Sequence, residues 1–73
     1  MTTPQQALEA CRDAGFREGE WVRDVRAGRC RIETLTPTLV RFATEDGQPL
    51  ALDGACVLLK SYHNGSIEPI EGK

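Results

Sequence analysis

Residues 20–60 read EWVRDVRAGRCRIETLTPTLVRFATEDGQPLALDGACVLLK, and their pattern indicates the architecture of the domain. It holds five short runs rich in β-forming residues: Glu20–Arg26, Arg29–Leu35, Thr38–Thr44, Pro49–Asp53 and Cys56–Lys60. Four turn-forming segments separate them: Ala27-Gly28, Thr36-Pro37, Glu45-Asp46-Gly47 and Asp53-Gly54. Short strands at this spacing are typical of small all-β folds. The stretch therefore predicts a mainly β domain built on a five-stranded barrel.

A helix is predicted ahead of the barrel, within residues 1–16. Thr3 suits the N-cap and Pro4 the first helical position, and Gln6 stands where the second member of a capping box belongs. Gly15 supplies the left-handed residue that commonly ends a helix. A helix of about eleven residues is marginal in isolation. We therefore expect it to pack on the barrel.

The chain of 73 residues is predicted to form a single domain. Its parts are the helix (1–16), the barrel (19–60) and a tail (61–73) with a short edge strand near Pro69, a residue tolerated at sheet edges. A domain this small buries a limited core. Small domains without disulfides or metals often gain stability by self-association, so a homo-oligomer is expected.

Alternation along the runs assigns side chains to the two faces of the sheet. In the first run, Val22 and Val25 have opposite parity, and we expect Val22 to point inward. The run Val57-Leu58-Leu59 does not alternate and predicts a last strand that is buried on both sides. With Val22 inward, the outer face of three adjacent strands carries five residues of interest: Trp21, Arg23, Arg29, Arg31 and Arg41.

These five residues are the candidate binding site. An indole offers a stacking surface and guanidinium groups offer forked donors, a combination that suits single-stranded nucleic acid or an acidic or aromatic protein partner. Two plainer interpretations stay open. The face could be solvated, with Glu20, Asp24 and Glu33 neutralising the arginines, or the N-terminal helix could bury Trp21.

Composition narrows the function classes. The net charge of −2 argues against bulk electrostatic capture of nucleic acid, although six of the seven arginines lie between residues 17 and 41. Three widely spaced cysteines indicate neither a disulfide framework nor a zinc site, and each is expected to pack as a small apolar side chain. With no secretory or membrane-spanning pattern, the sequence predicts a cytoplasmic protein without membrane contact.

Residues able to do chemistry are sparse. The single histidine, His63, neighbours Ser61 and Tyr62, but adjacent residues of an extended segment point to opposite faces. The acids Glu45, Asp46 and Asp53 could lie near one another at one end of the barrel as a carboxylate pair, but they also occupy turn positions, where such residues are common. Neither group predicts catalysis or metal binding, and no cofactor is expected.

The pattern of Glu20-Trp21-Val22-Arg23, a hairpin, Leu35-Thr36-Pro37 and a closing Val57-Leu58 resembles SH3-like barrels over residues 19–60. This group includes Tudor and KOW modules, the type II dihydrofolate reductases and bacterial proteins of mobile gene cassettes. The reductase resemblance would imply a shared pore, but Pro49–Leu52 lacks the glutamine and tyrosine of that pore. A Tudor-type aromatic cage needs more aromatic residues than the chain offers. Binding through a basic face, as in KOW modules, is compatible with it.

Three hypotheses about function follow. The leading one is a non-enzymatic binding module that engages a protein or nucleic-acid partner through the Trp21 and arginine face. The second is a small homo-oligomeric ligand-binding protein or enzyme with its site at a symmetry axis. The third is a structural homo-oligomer in which the same face joins the subunits.

Overall fold

The computed structural model of the protein describes residues 2–70. In this range the chain forms two helices and five strands, in the order α1 (Pro4–Ala14), β1 (Trp21–Asp24), β2 (Gly28–Leu35), β3 (Val40–Thr44), β4 (Pro49–Leu52), α2 (Ala55–His63) and β5 (Ile67–Pro69). The prediction of a mainly β fold with an N-terminal helix is confirmed. Glu71–Lys73, the end of the predicted tail, lie outside the described residues.

The strands form one antiparallel sheet in the order β4-β3-β2-β1-β5. β1 to β4 follow one another as a meander, and β5 returns to pair with the free side of β1. β4 and β5 are thus the two edges, and they are not paired with each other. The sheet is not closed, so the structure does not confirm a barrel.

Helix α1 has the ends that the sequence predicts. The Thr3 side chain accepts a hydrogen bond from the Gln6 N–H, and the Gln6 side chain accepts one from the Thr3 N–H, which completes the capping box. Gly15 ends the helix in the left-handed region at φ 110°. The following Phe16 donates its N–H to the Cys11 carbonyl and is fully buried, as in a Schellman-type end.

The predicted last strand, Cys56–Lys60, is wrong: this segment lies in helix α2. Ala55, Leu58, Leu59 and Tyr62 follow helical spacing, and they are the residues of α2 that are buried in or packed against the core. Val57, expected to be buried, is 37% exposed because it points away from that stripe. α2 packs against α1, with the Cys11 thiol 3.5 Å from the Ala55 carbonyl oxygen.

Both helices cover one face of the sheet, which we call the inner face. Its strand residues Val22, Ile32 and Val40 are almost fully buried in one core cluster with Leu8 and Leu58 of the helices. Val22 points inward as predicted. Val25 lies beyond the end of β1 and is 70% exposed. No helix in the part of the chain that is described is long and apolar enough to cross a membrane.

Leu50 and Leu52 of β4 also face inward by register, opposite Phe42 and Val40. Leu50 nevertheless remains 37% exposed, because β4 is an edge strand and no further strand covers it. Beside it the inner face opens into a cavity of about 360 Å³, lined mainly by apolar residues that include Phe42, Leu52 and Ile67. The predicted barrel would be closed on this side, whereas the structure has an unpaired β4 edge with a cavity beside it.

Candidate functional site

Strand register brings the five predicted site residues to the outer face, opposite the helices. Trp21 pairs with Arg31, and Arg23 pairs with Arg29, across β1 and β2. Arg31 pairs with Ala43 of β3, and Arg41 lies two residues before Ala43, so it points to the same side. We call this set the Trp–Arg face: Trp21, Arg23, Arg29, Arg31 and Arg41.

The β2–β3 pairing has an irregularity that affects this face. The register shifts between Ile32 and Thr34, so Glu33 is the extra residue of a β-bulge. The bulge lets both Ile32 and Leu35 point into the core, although their spacing of three residues does not fit strict alternation. The outer face therefore changes phase after Arg31, and Arg41 lies opposite Thr34 instead of Glu33.

Trp21 is half-buried by its neighbours on the sheet. The guanidinium carbon of Arg29 lies 4.9 Å from the centroid of the indole ring. This distance is within the range of a cation–π contact. The Nε atom of Arg29 is covered in this arrangement and has no hydrogen-bond partner among residues 2–70.

Two arginines of the face are ion-paired. Arg23 lies 3.5 Å from Glu68 of β5, and Arg29 lies 3.3 Å from Glu45 in the β3–β4 turn. Side chains in both pairs are 41–62% exposed, so solvent screens the pairs and each contributes little to stability. The guanidinium groups of Arg23 and Arg29 thus already have acidic partners, which border the Trp–Arg face.

Arg31 and Arg41 differ from these two. Both are exposed, and neither forms an ion pair with any residue in the described range. They are diagonal neighbours on adjacent strands, a spacing that long side chains can bridge to a common ligand. The centre of the Trp–Arg face therefore has two guanidinium groups, those of Arg31 and Arg41, that form no ion pair within residues 2–70 and lie beside the half-buried indole.

Of the two plainer interpretations, burial of Trp21 under the helix is wrong, whereas a solvated face agrees with the exposure of Arg31 and Arg41 but not with the acids named for it. Trp21 is not under helix α1, which packs on the inner face. The acids expected to neutralise the arginines form no ion pair within residues 2–70. Asp24 serves the β1–β2 turn instead, because its Oδ1 accepts hydrogen bonds from the backbone N–H groups of Arg26 and Ala27.

Sequence reasoning missed the acids that do pair with the face, Glu68 and Glu45. Glu68 reaches Arg23 only because β5 returns to β1, a long-range pairing that local alternation does not reveal. For Glu45 a signal was present in the sequence. Thr44 pairs with Cys30, so the residues that follow and precede them, Glu45 and Arg29, become neighbours across the two strands. On sequence alone, Glu45 is interpreted as a turn acid or a member of a carboxylate pair, and not as a partner of Arg29.

The other titratable residues do not assemble into a catalytic or metal site. His63 is exposed at the end of α2, with its ring 5.7 Å from that of Tyr62. Asp53 follows β4, whereas Glu45 and Asp46 precede it, so the length of the strand separates these carboxylates. No group of three metal-binding side chains occurs within residues 2–70.

The cysteines are free thiols, and two of them are buried as predicted, whereas Cys56 is exposed on α2. Burial, and secondarily the charge of Cys56, raises the pKa of Cys11 to about 11. Burial, together with the carboxylates of Asp24 and Glu45, also raises the pKa of Cys30. Both buried thiols are therefore protonated at neutral pH and act as packing groups.

Comparison of the chain with protein-family models, with curated proteins and with solved structures finds no match.

Proposed function

We propose that the protein is a non-enzymatic binding module whose Trp–Arg face engages an acidic protein surface. The observation that carries this proposal is the pair Arg31 and Arg41: both are exposed, free of ion pairs within residues 2–70, and close to Trp21. Arginine forms strong charge-assisted hydrogen bonds with carboxylates. Tryptophan and arginine are also the residues most often found at the energetic centres of interfaces.

A protein partner is favoured over nucleic acid for two reasons. Single-stranded nucleic acid is held by bases stacked on exposed aromatic rings, whereas the guanidinium of Arg29 already lies over the Trp21 ring. Glu45 and Glu68 also border the face. A phosphate backbone carries a charge at every nucleotide and would meet these acids at both margins, whereas a protein surface can place its carboxylates at Arg31 and Arg41 alone.

The fold that presents this face is proposed to be an SH3-like barrel left open on one side. The support is topological: β5 pairs with β1, so that β4 and β5 become the two edges whose meeting would close a barrel. The outer face of a sheet held by a packed core is a rigid platform. Rigid platforms lose little entropy when they bind.

Intrinsic fluorescence tests the proposal directly, because Trp21 is the single tryptophan of the chain. The protein is titrated at low salt with a glutamate-rich peptide and, separately, with an oligothymidylate of similar total charge. We expect the peptide to change the Trp21 emission saturably and to bind more tightly than the oligonucleotide. Tighter binding of the oligonucleotide would instead make the face a nucleic-acid site, and no response to either probe would remove the proposal.

A further inference from the structure

The two edges of the sheet differ in how well they are protected. The β5 edge has three residues, and two of these, Glu68 and Pro69, are types that discourage further strand pairing. The β4 edge reads Pro49-Leu50-Ala51-Leu52; Pro49 protects its first position, and the three residues after it carry no charge. Its first three residues are exposed. β4 therefore lacks a charged residue that would keep another strand away.

The hydrogen-bond pattern shows which groups β4 presents to its open side. Thr44 N–H donates to the Gln48 carbonyl at 3.0 Å, so this opposed pair is a hydrogen-bonded one. Because such pairs alternate in antiparallel sheets, the N–H and C=O of Ala51 and the C=O of Pro49 point away from β3. Pro49 has no N–H, and none is needed at this position because its nitrogen faces away from β3. Ala51 is thus the residue that offers both a donor and an acceptor to a new strand.

An exposed apolar side chain lies on the same strand, next to Ala51. Leu50 is 37% exposed and lies at the cavity of about 360 Å³ on the inner face. Strand addition at β4 would cover Leu50 and the mouth of the cavity.

We propose that β4 pairs with β4 of a second copy of this chain, antiparallel, with the two-fold axis at Ala51. The two Ala51 residues then exchange both backbone hydrogen bonds. In this register Leu50 of each copy lies opposite Leu52 of the other on the inner face, where the two side chains close the cavity mouths.

A second copy fits this edge better than an unrelated strand. A second copy brings to the interface only the charges that β4 itself carries, and like charges directly opposite each other destabilise a sheet; β4 has none. The interface also closes at two copies, because the protected β5 edge does not propagate the sheet. A domain of 73 residues gains the core area that it lacks alone. The proposal is independent of the Trp–Arg face, which lies on the outer side.

The decisive variant is Ala51→Pro. Proline is tolerated on an edge strand where the N–H faces outward, so the monomer fold is retained while the central intermolecular hydrogen bonds are lost. Ala51→Thr is the matched control, since it keeps the N–H and favours a strand. We expect sedimentation equilibrium to show a dimer for the wild type and for Ala51→Thr, and at least a tenfold weaker dimer for Ala51→Pro with an unchanged circular dichroism spectrum.

Leu50→Lys gives an independent check should Ala51→Pro fail to fold. Leu50 is partly exposed, so the charge is tolerated in the monomer, but in the dimer the lysine would lie against Leu52 of the second copy. We expect at least a tenfold weaker dimer here too. A wild type that stays monomeric at about 100 μM overturns the proposal. So does a folded Ala51→Pro or Leu50→Lys variant with the wild-type dimer affinity.

Discussion

The Arg29 guanidinium lies over the Trp21 ring, 4.9 Å from its centroid, although the strand register places Arg29 opposite Arg23. The contact is therefore a diagonal one across β1 and β2, of the kind that long side chains make on one face of a sheet. It joins the aromatic and basic parts of the Trp–Arg face into one unit. It also covers the ring that a nucleic-acid base would need.

Removing Arg29 is expected to uncover Trp21. In Arg29→Ala the ring loses its covering group, so the emission should shift to longer wavelength and iodide should quench it more strongly. The lost cation–π contact should cost about 0.5–1 kcal/mol of unfolding free energy. Arg29→Lys keeps a cation near the ring and serves as the control. Unchanged quenching in Arg29→Ala would mean that the contact does not persist in solution.

Helix α2 is the element on which the sequence was misleading, and a pair of substitutions tests it. Leu58 is fully buried and Val57 is 37% exposed. Leu58→Ala should therefore cost about 2–5 kcal/mol, and Val57→Ala about 0.5 kcal/mol or less. Urea denaturation of both variants provides the measurement. Comparable large losses would fit a strand buried on both sides and contradict the helix.

Gly54 lies where α2 begins and approaches the turn before β3. Its φ is 135°, and a Cβ at this position would collide with the carbonyl oxygen of Pro37. We expect Gly54→Ala to cost more than about 2 kcal/mol, as clashes with backbone do. Gly47 has φ 83°, and no atom lies within 4 Å of the position that a Cβ would occupy. Gly47→Ala should therefore cost only about 1 kcal/mol, for placing alanine in the left-handed region. Equal losses in thermal unfolding would show that the close approach is absent.

The buried Cys11 thiol should make stability fall at alkaline pH. Its pKa is about 11 in the folded protein, against an ordinary value of 9.0. Between these values the unfolded chain releases a proton that the folded chain retains, so the group's contribution is complete below pH 9 and is lost as the pH rises toward 11. The slope approaches about 1.4 kcal/mol per pH unit.

The variant Cys11→Ala separates this effect from other alkaline titrations. It should be less stable than the wild type at pH 7, because a buried side chain is shortened, but its stability should depend less steeply on pH between 9 and 11. Cys30, whose pKa is also raised, contributes equally to both proteins. Parallel curves for the two proteins would argue against an elevated pKa of Cys11.

The helix α1 and the Trp–Arg face could be predicted from sequence because both depend on local rules. Thr3, Pro4, Gln6 and Gly15 occupy capping positions with a known stereochemistry. One choice of parity, Val22 inward, was enough to place Trp21 and Arg23 on the outer side. Such rules need no knowledge of the rest of the chain.

The last strand was predicted wrongly because two local signals compete in residues 55–63. Val57, Leu58 and Leu59 favour a buried strand, whereas Ala55, Leu58, Leu59 and Tyr62 have the spacing of one helical face. Packing decides between them: the helix buries Leu58 and brings Tyr62 into an edge-to-face contact with Phe16, with ring centroids 5.4 Å apart. Because residues 55–63 form a helix, no strand follows β4 to pair with it, and β4 remains an exposed edge of an open sheet.

The Trp–Arg face is tested most directly by removing its two uncommitted charges. Arg31→Gln/Arg41→Gln and the control Arg12→Gln/Arg17→Gln each remove two positive charges, which takes the net charge from −2 to −4. The control residues are exposed and lie in α1 and the loop after it, away from the outer face. Both double variants should fold like the wild type.

The measurement is the affinity for the glutamate-rich peptide, read from Trp21 fluorescence at low and at moderate salt. We predict that Arg31→Gln/Arg41→Gln binds at least about tenfold more weakly, a loss of about 1.4 kcal/mol, and that the control binds as the wild type does. Added salt should weaken the wild type more than the Arg31/Arg41 variant. Equal affinities of the two double variants would show that net charge, and not this face, governs binding, and would contradict the account.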